Sequence, residues 1–187
     1  MAEWTTQRGV NMPAKGQRGA MECWITCYEM MLNANGINWT KEQIVKRMAN
    51  RGFGDAALCV NAGLSDPELA QCATALGVGQ SSTSAVNTFE GLRNMLLMCG
   101  PLWVAGQCPG SDKKLYNHII MVIGVDDDGD NKRVRIVNPW LQNIYDSPSK
   151  GFIWWSDFKK VIKSTLNVQG SLQFITPIQA VALTLAP

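Results

Sequence analysis

The sequence predicts an α+β domain with a helical first half and a strand-rich second half. Three features predict it. Apolar residues recur at helical spacing up to about residue 98, short runs rich in β-branched residues follow Pro101, and no repeat, heptad or Pro/Gly/Ser linker divides the chain. Residues 1–187 are therefore read as a single domain. A chain of this length buries roughly 70% of its unfolded surface and needs no covalent staple.

The first helix is expected over 22–33, where Cys23, Trp24, Cys27, Met30 and Met31 fall broadly on one face ahead of Asn35-Gly36, a stop that tolerates the left-handed conformation. Thr40 with Gln43, and Ser65 with Glu68, have capping-box spacing, in which a hydroxyl and the side chain three residues on satisfy each other's free amides. Helices should open there and run over 41–50 and 66–76. A fourth periodic segment, 88–98, must stop at Gly100-Pro101, because proline cannot continue a helix and restrains the residue before it. Strands are expected at Leu102–Ala105, Asn117–Val125, Val134–Val137, Phe152–Trp155 and Ser171–Ile175, with a short capped helix over 156–163 before the last. Asp126 to Asp130 has the alternating acids of a calcium loop but lacks its glycine and distal glutamate, so a hairpin turn is expected.

Composition narrows the function. With 46% hydrophobic and 17% charged residues the chain is a folding one, and its net charge of +2 is scattered without a basic run, which argues against nucleic acid as a partner. The first residues lack the apolar stretch of a Sec-type signal, and no apolar run is long enough to span a membrane. The six cysteines are irregularly spaced and read as reduced thiols. Without paired C-x-x-C motifs, and with one histidine, the sequence calls for no metal and no cofactor.

Cys23 stands where a loop containing Gly16 and Gly19 feeds the first helix. A thiol there lies at the positive end of the helix dipole, which together with a nearby imidazolium favours thiolate, the species that attacks a carbonyl. Gln17, just upstream, carries an amide NH2 suited to donate to the oxyanion that the attack creates. Because the chain has a single histidine, any imidazole general base must be His118. Asn138-Pro139-Trp140 follows a strand.

The order Gln17, Cys23-Trp24, His118, Asn138-Pro139-Trp140 resembles the papain-like cysteine peptidase superfamily, whose members share Gln shortly before Cys-Trp, then His, then Asn or Asp. The resemblance implies a papain-like fold, its nucleophile helix packed on an antiparallel sheet. It implies Cys23 as nucleophile, His118 as base, Asn138 as the residue that orients the base and Gln17 as oxyanion donor. It also implies that Trp140 covers the histidine–asparagine hydrogen bond, with Trp24 and Trp140 as candidates for contact with substrate. Ala20-Met21-Glu22 replaces the Cys-Gly-Ser of papain, and the Cys-to-His interval is shorter. Those departures point to compact bacterial members, either bacteriocin-leader peptidases or secreted effector proteases.

On this reading the substrate is a protein, and Gln107–Tyr116 either borders the cleft as a flap or is a plain surface loop. The same triad serves deamidation, transamidation and cell-wall amide cleavage, which remain alternatives. A binding module on a decayed peptidase fold is another, although such modules usually lose the nucleophile or base that this chain retains. Sixteen residues precede Gln17, too few for an inhibitory prodomain, so the chain is expected to be active as made. It is expected to stay in its producer's cytosol or to enter a target cell through a specialised secretion system, as a toxin-like effector. A cognate inhibitor or immunity protein covering Cys23 and His118 would restrain it.

Overall fold

The structure, a computed structural model, describes residues 4–5, 12–34, 36–54, 59–60, 62–76, 79–81, 87–109, 114–129, 131–140, 152–157, 159 and 174–176. Each of the four expected helices is present: α1 Cys23–Ala34, α2 Lys41–Asn50, α3 Asp66–Leu76 and α4 Phe89–Cys99. The caps explain where they begin. At α2 both halves of the capping box form, the Gln43 amide donating to Thr40 Oγ1 at 3.3 Å and the Thr40 amide to Gln43 Oε1 at 2.8 Å. At α3 the Ser65 amide donates to the Glu68 carboxylate at 2.6 Å, and the Ser65 hydroxyl donates to the same oxygen at 2.5 Å. A carboxylate is the stronger acceptor, so it draws the hydroxyl toward itself. Thr88 caps α4 through the Gly91 amide at 3.0 Å, and α4 ends at Gly100, whose φ of 76° is a left-handed value that glycine adopts without strain. Cys59, Val60 and Ala62 are helical as well, a stretch too short to carry a periodic signal.

Among the described residues the strands form one seven-stranded sheet. They are β1 Trp4–Thr5, β2 Gly79–Ser81, β3 Leu102–Pro109, β4 Leu115–Asp128, β5 Asn131–Asn138, β6 Phe152–Asp157 and β7 Phe174–Thr176, in the order β2-β7-β3-β4-β5-β6 with β1 on β4. Every pairing is antiparallel. The expected hairpin is there: Asp128 pairs with Asn131 around Gly129, whose φ is 65°.

Both faces of the sheet are covered. Trp103, Ile119, Met121, Ile123 and Val137 pack with Trp24, Tyr28 and Met31 of α1, whereas Val104, Ile120, Val122 and Ile136 pack with Phe89, Leu92 and Leu96 of α4. The alternation follows from the pleat, which sends successive side chains to opposite faces. A bulge between Val122 and Gly124 breaks it and brings Val125 onto the α4 side with Val134. The result is the α+β architecture that the patterning predicts, with α1 held against the two central strands.

Some expectations need correction. The helical half contributes β1 and β2, which are too short to show alternation; β1 adds to β4 at Gly124 and Val125, beyond that strand's pairing with β3, and β2 adds to β7. The ends of the Gln107–Tyr116 segment are not a loop, since Gln107, Cys108 and Pro109 pair with Asn117, Tyr116 and Leu115 and extend the β3–β4 ladder; 110–113 lie outside the described residues. Within the helix expected at 156–163, Ser156 and Asp157 are strand, Lys159 is helical and the others lie outside the described residues. The last strand begins at Phe174 among the described residues. Among those residues no helix is long and apolar enough to cross a membrane, and no cluster of three or more His, Cys, Asp or Glu side chains is placed to hold a metal.

Candidate active site

Cys23 is the first residue of α1 and is partly exposed. Three contacts fix that end of the helix. The Trp24 indole N–H donates to the Cys59 carbonyl at 3.0 Å, the Trp103 indole N–H donates to the Trp24 carbonyl at 3.1 Å, and the Cys27 thiol donates to the Ile119 carbonyl at 3.4 Å. The Cys23 sulfur in turn meets the Ile119 amide. Both backbone groups of Ile119, the residue after His118, are thus turned to cysteines of α1. Cys23, Cys27 and Cys72 are free thiols, and the Cys59 thiol donates to Glu68 Oε1 at 3.7 Å.

His118 lies on β4, opposite Gly106, and is 6% exposed. Its Nε2 is 2.7 Å from Asn138 Oδ1 at the end of β5. The same Oδ1 accepts the Trp140 amide at 2.8 Å, a bond that only the amide oxygen of asparagine can make. The side-chain orientation of Asn138 is thereby fixed, His118 must carry its proton on Nε2, and Nδ1 is left as the basic nitrogen. The Trp140 ring lies against the imidazole with centroids 4.7 Å apart, and Tyr116 meets Trp140 edge-on at 5.9 Å. The loop before α1 joins the cluster through the Gln17 amide, which donates to the Pro139 carbonyl at 2.7 Å.

Gln17 and Trp24 occupy surroundings that the sequence does not reveal. Gln17 is 1% exposed, and its Nε2 donates to the carbonyls of Gly19 at 2.8 Å and Ala20 at 2.9 Å, while Oε1 is buried without a hydrogen bond. To serve an oxyanion, this NH2 must share one hydrogen between the two carbonyls or release one of them. Trp24 is fully buried, a core residue that fixes α1, which leaves it no surface for the contact with substrate expected of it. Trp140 keeps part of its surface and stays available for that contact.

The electrostatics favour a neutral resting pair when each group is taken alone. Burial pushes the Cys23 thiol up, against the amides of Ile119, Trp24 and Cys23 itself, which pull it down. Burial likewise pushes His118 down to about 4, with the Asn138 hydrogen bond opposing. Moving the thiol proton to the imidazole creates two opposite charges in a place already removed from water, where each stabilises the other most.

Two expected results follow from this geometry. Replacing Asn138 by alanine removes the acceptor for two donors and frees the imidazole to turn, so kcat should fall about a hundredfold without vanishing. Asn138→Asp keeps that acceptor and should retain most activity; full activity of Asn138→Ala in steady-state kinetics would move the orienting role elsewhere. The second result concerns acid stability. Unfolded His118 takes up its proton near 6.5 and folded His118 near 4, so between these values the unfolded state binds more protons. Stability should fall as pH drops through that window, by at most about 1.4 kcal/mol per pH unit, and this contribution should be constant above 6.5 and below 4. Glu22, Glu42, Glu68 and Glu90, all held below the usual carboxylate range, begin to lose their contributions only as pH falls to about 4.5, below the pH 5 measurement. Urea unfolding at pH 7 and pH 5 should show the loss, and His118→Gln should abolish it.

A family model described as papain-like cysteine protease AvrRpt2 matches residues 6–156, a span that contains Gln17, Cys23, His118, Asn138 and Trp140. Among solved structures, the chain is similar to the peptidase domain of Streptococcus ComA, a bi-functional ABC transporter involved in a quorum-sensing pathway. That similarity has a TM-score of 0.56 and 12% identity over 89% of this chain and 99% of that one. A C39-like peptidase from Bacillus anthracis is similar at TM-score 0.53 and 13% identity, over 94% of this chain and 98% of that one. At such identities the likeness is one of fold. No curated protein sequence matches the chain.

Proposed function

Because this chain belongs to the AvrRpt2 family of papain-like cysteine proteases, we propose that it hydrolyses peptide bonds of a protein substrate through Cys23, His118 and Asn138. The observation that carries this assignment is the Asn138 Oδ1 fork, which takes the His118 Nε2 proton and the Trp140 amide together. It leaves Nδ1 as the basic nitrogen of His118, the residue before Ile119, whose amide pulls the Cys23 thiol pKa down. In the first half-reaction the Cys23 sulfur attacks the scissile carbonyl and His118 passes the thiol proton to the leaving amine. The Cys23 amide and the Gln17 NH2 receive the oxyanion. Water then attacks the thioester with His118 as base, releasing the acid and restoring the thiol. Trp140, lying on the imidazole, keeps water from the His118–Asn138 bond.

The direct test compares proteomes of cells producing wild type or Cys23→Ala and looks for new protein termini that depend on the thiol. Side-chain deamidation would instead add about one dalton to a substrate without a cut, a readout that separates the two outcomes of one acyl chemistry. We further propose that the target lies in another cell and that the protein is a bacterial effector held in check by an inhibitor over Cys23 and His118. The AvrRpt2 family match and the compact Gln-Cys-Trp pattern support this role. Produced in a recipient cytosol, wild type should impair growth while Cys23→Ala is harmless and still binds the inhibitor. Equal growth with both, in every recipient tried, would favour a housekeeping or leader-processing peptidase.

A further inference from the structure

Glu22, immediately before the nucleophile, gathers more polar contacts than a surface carboxylate needs. Its Oε2 accepts from the Arg18 amide at 3.0 Å, the Gly19 amide at 3.1 Å and Lys41 Nζ at 2.5 Å. The Glu22 amide donates back to the Gly19 carbonyl at 3.3 Å. Glu22 and Lys41 are 15% and 16% exposed at their side chains, so the pair is largely withdrawn from solvent. Burial pushes the Glu22 carboxyl up, but the Lys41 hydrogen bond and the Gly19 and Arg18 amides outweigh it and hold the group below the usual carboxylate range.

These contacts run in one line. Lys41, on α2, fixes the carboxylate; the carboxylate fixes the amides of Arg18 and Gly19; and the carbonyls of Gly19 and Ala20 fix the Gln17 NH2. No regular hydrogen-bond ladder holds 17–22, so a few side-chain and turn hydrogen bonds set its shape, and of these the Glu22 carboxylate makes the bonds to the Arg18 and Gly19 amides. Lys41 has a second effect. A bare carboxylate next to Cys23 would oppose the thiolate, and the ammonium at 2.5 Å offsets that charge. We propose that Glu22, held by Lys41, is a positioning residue for the oxyanion donor: it clamps the Arg18–Gly19 backbone and thereby sets the Gln17 amide beside Cys23. The proposal rests on the reading of Gln17 as an oxyanion donor.

The test separates oxyanion stabilisation from nucleophile reactivity. Alkylation of Cys23 by iodoacetamide builds no oxyanion, whereas peptide hydrolysis does. The hydrolysis probe is a fluorogenic peptide chosen from cleavage sites mapped with a proteome-derived peptide library. Glu22→Ala should lower kcat about a hundredfold, the size of effect that a small misplacement of a catalytic group produces. KM should be unchanged and alkylation no slower. Glu22→Gln, whose amide oxygen can still accept from Arg18 and Gly19, should restore most of the loss. Lys41→Met leaves both amide bonds in place and covers the case in which Glu22→Ala fails to fold; it should give a smaller fall in kcat, and because it bares the carboxylate beside Cys23 it should slow alkylation by less than it lowers kcat. Unchanged kcat in Glu22→Ala and Lys41→Met, or a parallel loss of kcat and alkylation, overturns the proposal. Gln17→Ala distinguishes the two layers: if it leaves kcat intact the oxyanion reading itself fails, and if it lowers kcat while Glu22→Ala does not, only the clamp fails.

Discussion

Replacing Cys23 by alanine is expected to bring hydrolysis down to background, because no other described thiol can take its place. Cys27, one turn along α1, is wholly buried and its thiol is pushed well above the ordinary range, chiefly by burial. Cys59 and Cys72 are buried too. The same contrast predicts alkylation. Iodoacetamide near neutral pH should modify Cys23 far ahead of Cys27, Cys59 and Cys72, and His118→Ala should slow that reaction by removing the group that accepts the thiol proton. Peptide mapping by mass spectrometry reads all four sites at once. Equal labelling of Cys23 and Cys27 would contradict the pairing of Cys23 with His118.

Gln17→Ala should produce the next largest effect, a fall in kcat of about a hundredfold to a thousandfold, as when other enzymes lose one oxyanion donor. KM should change little, since the donor strengthens its bond only as the oxyanion forms. The substitution has a structural side as well. It strips a donor from the Gly19 and Ala20 carbonyls and also removes the orphaned buried Oε1, two consequences of opposite sign for stability. A thermal melt of the variant should therefore accompany the kinetics. Lost binding with an unchanged kcat would make Gln17 a substrate contact instead.

Much of this architecture is legible in the residues because local rules decide it. Thr40, Ser65 and Thr88 stand at the starts of helices for reasons of hydrogen bonding that need no tertiary partner, and Gly100-Pro101 stops α4 in the same way. The candidate site is legible for another reason: Cys23, His118 and Asn138 are chemically specific and fall on a helix start and two strands in a readable order. What the sequence hides depends on tertiary contacts. The run from Ile119 to Val125 is apolar throughout because helices cover both faces of the sheet, so no alternation betrays which residue faces which helix, or that a bulge precedes Gly124. Trp24 reads as a cleft residue by its place beside the nucleophile, and only packing against Cys59 and Trp103 shows it to be core. Gln17 shows its type but not its hydrogen-bond partners. Glu22 reads as one more surface acid until Arg18, Gly19 and Lys41 converge on it.

The bond from the Gln17 amide to the Pro139 carbonyl joins the loop before α1 to the segment that follows β5. Catalytic competence is therefore tied to a contact between residues far apart along the chain, and closing so long a loop is slow and entropically costly. A chain whose synthesis has not yet reached β5 has Cys23, but it lacks the Asn138–Pro139–Trp140 wall against which the site is assembled. On the proposed mechanism hydrolysis begins only when β5 has docked, so the timing of this one closure separates an inert polypeptide from an enzyme.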